Sequence, residues 1–215
     1  DLETFSEPDE LRFVGSVEPH GVVLPHVVGV TSLVDIAAES ADLIIVDTTN
    51  AVAGVVGQTV KYHIAELTKP TLVVAMVRGA ELDPVIGMLR RFLSVRVAEV
   101  HPPNDLVPSS PVARQAKRAA AFRRDLGEDP PKWRVQTTVF APTLPVGFDL
   151  SRLDGMLVGV QDEHGHCLGL GVLDHNEGTV RVATQHGDEM RGLRLGSMRI
   201  DLASMKTSRV RLREV

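Results

Sequence analysis

The 215 residues carry 23 Lys plus Arg against 28 Asp plus Glu, are 43% hydrophobic, and include one Cys, one Trp, one Tyr and six Phe. A chain of this length and apolar content builds a core as one large domain, or a medium one with a small companion, which excludes a disordered polymer. The lone Cys167 excludes a disulfide framework and a Cys-based structural zinc site, pointing to a reducing compartment and to the cytoplasm. The longest apolar candidate, residues 21–38, is broken by Pro25, His26, Thr31, Ser32 and Asp35, so no membrane helix is expected.

Residues 11–98 alternate β-branched runs with helix-period segments. Phe13-Val14-Gly15 reads as a first strand, and a helix is expected over about 31–41 with Thr31 as its N-cap. Leu43-Ile44-Ile45-Val46 and the run 72–77 are continuous apolar segments, the pattern of strands buried on both faces of a parallel sheet. Helices are expected at 58–68, closed by Lys69-Pro70, and at 81–92, with Val95-Arg96-Val97 as a further strand. The order β-α-β-α-β-α-β describes an α/β sheet with right-handed crossovers. Four prolines make 101–111 a loop, and 112–126 follows as a basic helix. After Pro130-Pro131 the texture changes to short alternating strands at 134–140, 155–160, 168–173, 179–183 and 193–202, with turns at 162–165 and 176–178. The expected organisation is an α/β portion over 1–126, whose last helix with its lead-in spans about 109–126, a small antiparallel β-domain over 132–203, and a basic tail over 204–215. The chain opens Asp1-Leu2-Glu3 with neither Met nor a leader, so a fragment is expected.

Charge is uneven: residues 1–100 balance to −7 and 101–215 to +2. The positive charge sits in Arg114, Lys117, Arg118, Arg123, Arg124, Lys132 and Arg134 and in a second stretch over 191–213, either as solvated faces or as a surface for a polyanion.

Three motifs bear on chemistry. Val46-Asp47-Thr48-Thr49 ends an apolar run in a carboxylate and two hydroxyls, where an open α/β sheet binds a nucleotide or Mg²⁺; turn capping is the alternative. Arg114 and Arg118 lie one helical turn apart, with Phe122 and Leu126 continuing the ridge, so two guanidiniums can bracket a phosphoryl group while the apolar pair anchors the helix. The phosphate loop G-x-x-x-x-G-K-[ST] does not occur in the 215 residues; Gly54-Val55-Val56-Gly57-Gln58-Thr59 lacks its Lys and its spacing and reads as a flexible loop. His164-Gly165-His166-Cys167 falls in a turn without further ligands, so no metal site is expected there.

From Phe13-Val14-Gly15-Ser16 and Pro19-His20-Gly21, through Asp47-Thr48-Thr49, Lys61, Glu66-Leu67 and Pro70, to Ser110-Pro111-Val112-Ala113-Arg114, Arg118 and Phe122, the chain resembles the P-loop polynucleotide 5′-hydroxyl kinases. That family includes the kinase subunit of the pre-mRNA cleavage factor, the rRNA-processing kinase and archaeal relatives. Leu157-Val158-Gly159, the run 168–172 and Arg191-Gly192-Leu193-Arg194-Leu195-Gly196 resemble its terminal β-domain. The resemblance implies transfer of the γ-phosphate of ATP or GTP, with Mg²⁺, to the 5′-OH of single-stranded RNA or DNA. It implies that Arg114 and Arg118 are lid arginines, that Asp47 is catalytic, and that Thr48, Thr49, Asn50, Lys61, Pro19, His20 and Gly21 serve the acceptor. Three features depart from the family: the Walker A segment, which lies upstream of the matched region; Asn50-Ala51, where Gly and in cleavage-factor members Trp are common; and Ser109, where an Arg often precedes the lid. A fragment without the Walker A loop is expected to bind nucleotide poorly and to be inactive alone. A non-catalytic nucleic-acid-processing scaffold, a GTPase and a small-molecule kinase are the competing readings.

Overall fold

A computed structural model describes residues 8–103, 105–107 and 109–210. The chain divides into two compact units, one formed by residues 1–16 with 109–215 and the other by residues 17–108.

In the unit of residues 17–108, α1 (Val23–Ala37) packs on α2 (Gly54–Thr68) through Val27 against Val60 and Ile64, with Val23 and Val30 at the margin. The helix expected at 31–41 therefore starts earlier, because Pro25 falls in the first turn, where backbone N–H groups have no helical partner to lose. Thr31 is not its N-cap; it lies mid-helix with its hydroxyl donating to the Val27 carbonyl at 2.9 Å. The stretch 54–59 is the start of α2 and not a flexible loop. Strands β1 (Val73–Met76) and β2 (Val97–Val100) pair in parallel, Val73 opposite Val97, and α3 (Asp83–Phe92) buries Val85, Ile86 and Leu89 beside them.

The parallel sheet is thus smaller than expected. Leu43-Ile44-Ile45-Val46 forms no strand, and Leu43 and Ile45 are 77% and 84% exposed. An apolar run records a preference for burial, but a strand needs a paired edge, and no described strand lies alongside it. Phe13-Val14-Gly15 also forms no strand and belongs to the other unit. There the Gly15 carbonyl accepts from Ser197 N at 2.8 Å, and the Phe13 ring fills the notch over Gly159, where a Cβ would lie 2.4 Å from Phe13 Cγ.

That other unit holds α4 (Pro111–Leu126) and a seven-stranded curled sheet. Its strands are β3 (Lys132–Arg134), β4 (Phe140–Ala141), β5 (Met156–Gln161), β6 (Cys167–Asn176), β7 (Thr179–Ala183), β8 (Gly192–Asp201) and β9 (Lys206–Arg209). The order is β3-β7-β6-β5-β8-β4, with β9 on β8. One face buries Leu153, Met156, Val158, Val160, Leu173, Val182 and Leu193; the other buries Leu157, Val172, Met198 and Ile200 under Phe122 and Leu126 of α4. The β6–β7 hairpin turns through Glu177 and Gly178, both at positive φ, as the turn signal at 176–178 requires. Two expectations change. The sheet is mixed, because β4 pairs in parallel with β8, and the segment expected at 134–140 is interrupted by a 3-10 turn at Thr137–Val139. The tail begins as strand β9, with Val210 buried; residues 211–215 lie outside the described residues. The fold class is α/β with a small parallel sheet and a curled mixed sheet.

Candidate functional site

The acceptor candidates share one unit. α2 begins at Gly54 after the bend at 50–53, and its buried Gly57 lets the helix sit against the chain it has just left. A Cβ there would lie 2.9 Å from Ala51 O and from the Val52 carbonyl carbon, so only glycine permits this approach. The helix then presents Lys61 one turn further on. The Lys61 ammonium donates to Thr48 Oγ1 at 2.7 Å and to the Thr49 carbonyl, tying the segment 47–50 to α2. Burial lowers the Lys61 pKa to about 8, and the Asp47 carboxylate opposes that fall. Asp47 and Thr48 are exposed; Thr49 is half-buried, and its Oγ1 has no hydrogen-bond partner among the described residues. His26 of α1 completes the cluster. Its pKa is pushed down by burial and then by the Lys61 charge, which keeps the imidazole neutral near pH 7. Asp47, Thr48, Thr49 and Lys61 were visible as motif residues. His26 was not, because it lies in an apolar stretch whose pattern reports only packing, and Gly57 reads from sequence as part of a flexible loop and not as the glycine that lets α2 sit against residues 51–52.

Pro19, His20 and Gly21 form the turn that leads into α1, with Val22 N donating to the Pro19 carbonyl at 3.1 Å and Gly21 at φ +83. Pro19 is buried, His20 and Gly21 are exposed, and Asn50 is exposed beside Thr49.

Arg114 and Arg118 belong to the other unit. Ser110 caps α4 by accepting from Ala113 N at 3.1 Å, Pro111 occupies the first turn, and Gly127 at φ +80 follows the helix. Phe122 and Leu126 are 6% and 0% exposed and anchor the carboxyl half, as the ridge pattern requires. The amino half projects Arg114, exposed, and Arg118, half-buried. Arg114 Nη1 donates to the Ser109 carbonyl, which fixes one guanidinium near a helix N-terminus that carries no first-turn acid. Arg114, Arg118 and the positive end of a four-turn helix together give this end of α4 a positive field.

No group of three or more His, Cys, Asp or Glu is arranged to hold a metal among the described residues. Mg²⁺ bound with a nucleotide takes only one or two carboxylates, the rest being water and phosphate oxygens, so Asp47 fits as a single ligand. His164 and His166 instead flank the β5–β6 turn, where Asp162 Oδ1 accepts from both of their backbone N–H groups. No helix among the described residues is long and apolar enough to cross a membrane.

The family model described as mRNA cleavage and polyadenylation factor CLP1 P-loop matches residues 1–124. The chain belongs to this family. Relatives at lower identity carry the name polyribonucleotide 5′-hydroxyl-kinase. One from Pyrococcus horikoshii is 26% identical over 80% of this chain and 62% of its own length, and one from Methanocaldococcus jannaschii is 24% identical over 91% and 70%. A third, from Pyrococcus abyssi, is 25% identical over 100% of this chain and 71% of its own length. The chain thus spans less than two thirds of the first of these proteins and about 70% of the others. Family and relatives bear out the resemblance to polynucleotide 5′-kinases read from Asp47-Thr48-Thr49, Lys61 and Arg114.

Proposed function

We propose that the protein to which these residues belong is a polynucleotide 5′-hydroxyl kinase, acting on single-stranded RNA or DNA in the cytoplasm. The observation that carries this reading is the tie between Lys61 and the Asp47-Thr48-Thr49 segment within a chain of the CLP1 P-loop family. Phosphoryl transfer demands little covalent help from a protein; it demands that the hydroxyl be placed and that negative charge be met by fixed positive charge.

In this reading Asp47 accepts the hydrogen bond of the 5′-hydroxyl and contributes one carboxylate to Mg²⁺, which neutralises phosphate charge when bound. Thr48, Thr49 and Asn50 position the terminal nucleotide, and Lys61 holds their backbone in place. Pro19, His20 and Gly21 line the approach of the strand. Arg114 and Arg118 stabilise the equatorial oxygens of the phosphoryl group in flight. ATP or GTP is the donor substrate, and its phosphates need the G-x-x-x-x-G-K-[ST] loop that these 215 residues do not contain. We assign that loop, and the P-loop sheet around it, to sequence beyond them, in keeping with the greater length of the relatives. The free thiol of Cys167 accords with a reducing compartment.

Asn50-Ala51 in place of the commoner Gly and Trp favours a second reading, a scaffold that keeps the fold and loses the chemistry. One assay separates the two. The complete protein, incubated with labelled ATP or GTP and a 5′-OH oligonucleotide, transfers label to the 5′ end if it is the kinase and leaves the oligonucleotide unlabelled if it is the scaffold.

A further inference from the structure

On β3 and β7, Arg134 and Arg181 stand directly opposite each other in an antiparallel pair. Opposed side chains in such a pair have Cβ atoms about 4.5–5.5 Å apart, and like charges there are destabilising. Both arginines are exposed, and among the described residues neither has a hydrogen bond or ion pair. The neighbouring carboxylate, Asp174, lies across from Arg181 on β6, but it accepts from Lys132 Nζ at 3.3 Å. β3 ends the strand order, and basic residues on an edge strand guard against sheet extension, which accounts for Lys132 and Arg134. It does not account for Arg181, which lies on an interior strand.

Register puts Arg134 and Arg181 on the face of the sheet that also carries Val172 and Ala183, the face on which Phe122 and Leu126 of α4 pack. Arg134 also lines a groove of about 700 Å³ with Gln136, Thr137, Thr138 and Thr179 and, on its apolar side, Val135, Leu150 and Val180; it holds a cation among hydroxyl, amide and apolar groups with no carboxylate. This is the chemistry of a phosphodiester site: guanidiniums for the phosphate, hydroxyls and an amide for sugar and base edges.

We propose that Arg134 and Arg181, with the adjoining groove, bind the phosphate backbone of the single-stranded acceptor at a site distinct from the 5′-end residues of the other unit. The site rests on the polynucleotide reading above. A phosphate between the two guanidiniums turns their repulsion into shared attraction. The sheet therefore tolerates the unfavourable pair because the ligand completes it.

The test is filter binding of a labelled 5′-OH 20-nucleotide strand to the complete protein between about 50 and 300 mM salt. Each phosphate contact adds about 0.7 to the log–log salt slope of a single strand. Arg134→Ala and Arg181→Ala should each weaken binding about fivefold at 0.1 M salt and flatten the slope by about 0.7, and the double variant should weaken it about 25-fold. Arg134→Lys should keep the slope, since the slope counts charges. Melting temperature should hold or rise slightly in the alanine variants, because the opposed cations are separated, and KM for a 5′-OH dinucleotide should not change. Unaltered affinity and slope in the double variant would overturn the site, as would loss of poly-glutamate binding with strand binding intact, which would make this face a dock for acidic protein. If the wild-type protein binds the strand with Arg134 and Arg181 contributing yet labels no 5′ end, the kinase reading fails and this site stands.

Discussion

Replacing Lys61 by Met keeps an unbranched side chain of similar length on α2 and removes the ammonium. Two hydrogen bonds disappear, to Thr48 Oγ1 and to the Thr49 carbonyl. The exposed Thr48 hydroxyl can turn to water, so the lasting loss is the partner of a half-buried carbonyl, about 1–2 kcal/mol. Against this, the substitution removes the burial penalty that holds the Lys61 pKa at about 8. The net change in global stability should stay below about 2 kcal/mol, a shift of at most about 4–8 °C in Tm for a chain of this size. The local effect is larger, because residues 47–50 lose their tie to the helix. If they place the 5′-hydroxyl, KM for a 5′-OH oligonucleotide should rise about 10- to 100-fold, each factor of ten being about 1.4 kcal/mol of lost binding. The wild-type enzyme should also show KM rising as pH increases through about 8, where Lys61 loses its proton, and Lys61→Met should lose that dependence. Stability moves the other way. The folded pKa lies below the unfolded value of 10.5, so the penalty is present in full below about pH 8 and is relieved between 8 and 10.5, and wild type gains stability relative to Lys61→Met across that window. A large drop in Tm with unchanged KM and unchanged pH dependence would refute the reasoning and leave Lys61 a purely structural tie.

Three further outcomes are expected. Asp47→Asn, which keeps shape but removes charge at an exposed position, should lower kcat in 5′ end-labelling by at least about 10² with Tm unchanged, whereas a turn-capping role would lower Tm and spare turnover. Arg114→Ala or Arg118→Ala in the complete protein should cut kcat by about 10² to 10³ without unfolding it, while Leu126→Ala, at a position 0% exposed, should lower unfolding free energy by about 2–5 kcal/mol in denaturant titration. Residues 1–215 alone should show no calorimetric binding of ATP or GTP at submillimolar nucleotide, because they contain no loop to cradle phosphates.

What could be read from sequence divides along physical lines. Local signals transferred well. The basic helix read over 112–126 is α4, Phe122 and Leu126 mark its buried ridge, and the turn at 176–178 marks the β6–β7 hairpin, since each depends on residues within one or two turns. Pairing between distant segments did not transfer. Leu43-Ile44-Ile45-Val46 has the composition of a buried strand, but composition does not supply the neighbouring strand, and two of its residues are largely exposed. The parallel contact of β4 with β8 leaves no turn signature, because a long chain segment joins the two. β9 follows β8 after only the short turn at 202–205, but Lys206-Thr207-Ser208-Arg209 has no apolar alternation and reads as basic tail. Thr31 shows the limit of a cap rule: a hydroxyl that can cap a helix can equally bond back to Val27 inside one. At the candidate site, Asp47, Thr48, Thr49 and Lys61 stood out by residue type and resemblance. His26 and Gly57 matter only through three-dimensional proximity, to an ammonium in one case and to the Ala51–Val52 backbone in the other.

The central claim, transfer of a phosphoryl group to a polynucleotide 5′-hydroxyl, is tested most directly by incubating the complete protein with γ-labelled ATP or GTP, Mg²⁺ and a matched pair of oligonucleotides, one ending in 5′-OH and one in 5′-phosphate. The account predicts label on the 5′-OH strand alone, removable by phosphatase and abolished together by Asp47→Asn and Arg114→Ala. Release of inorganic phosphate without label on either strand, or labelling of a small molecule in preference to the strand, would contradict it.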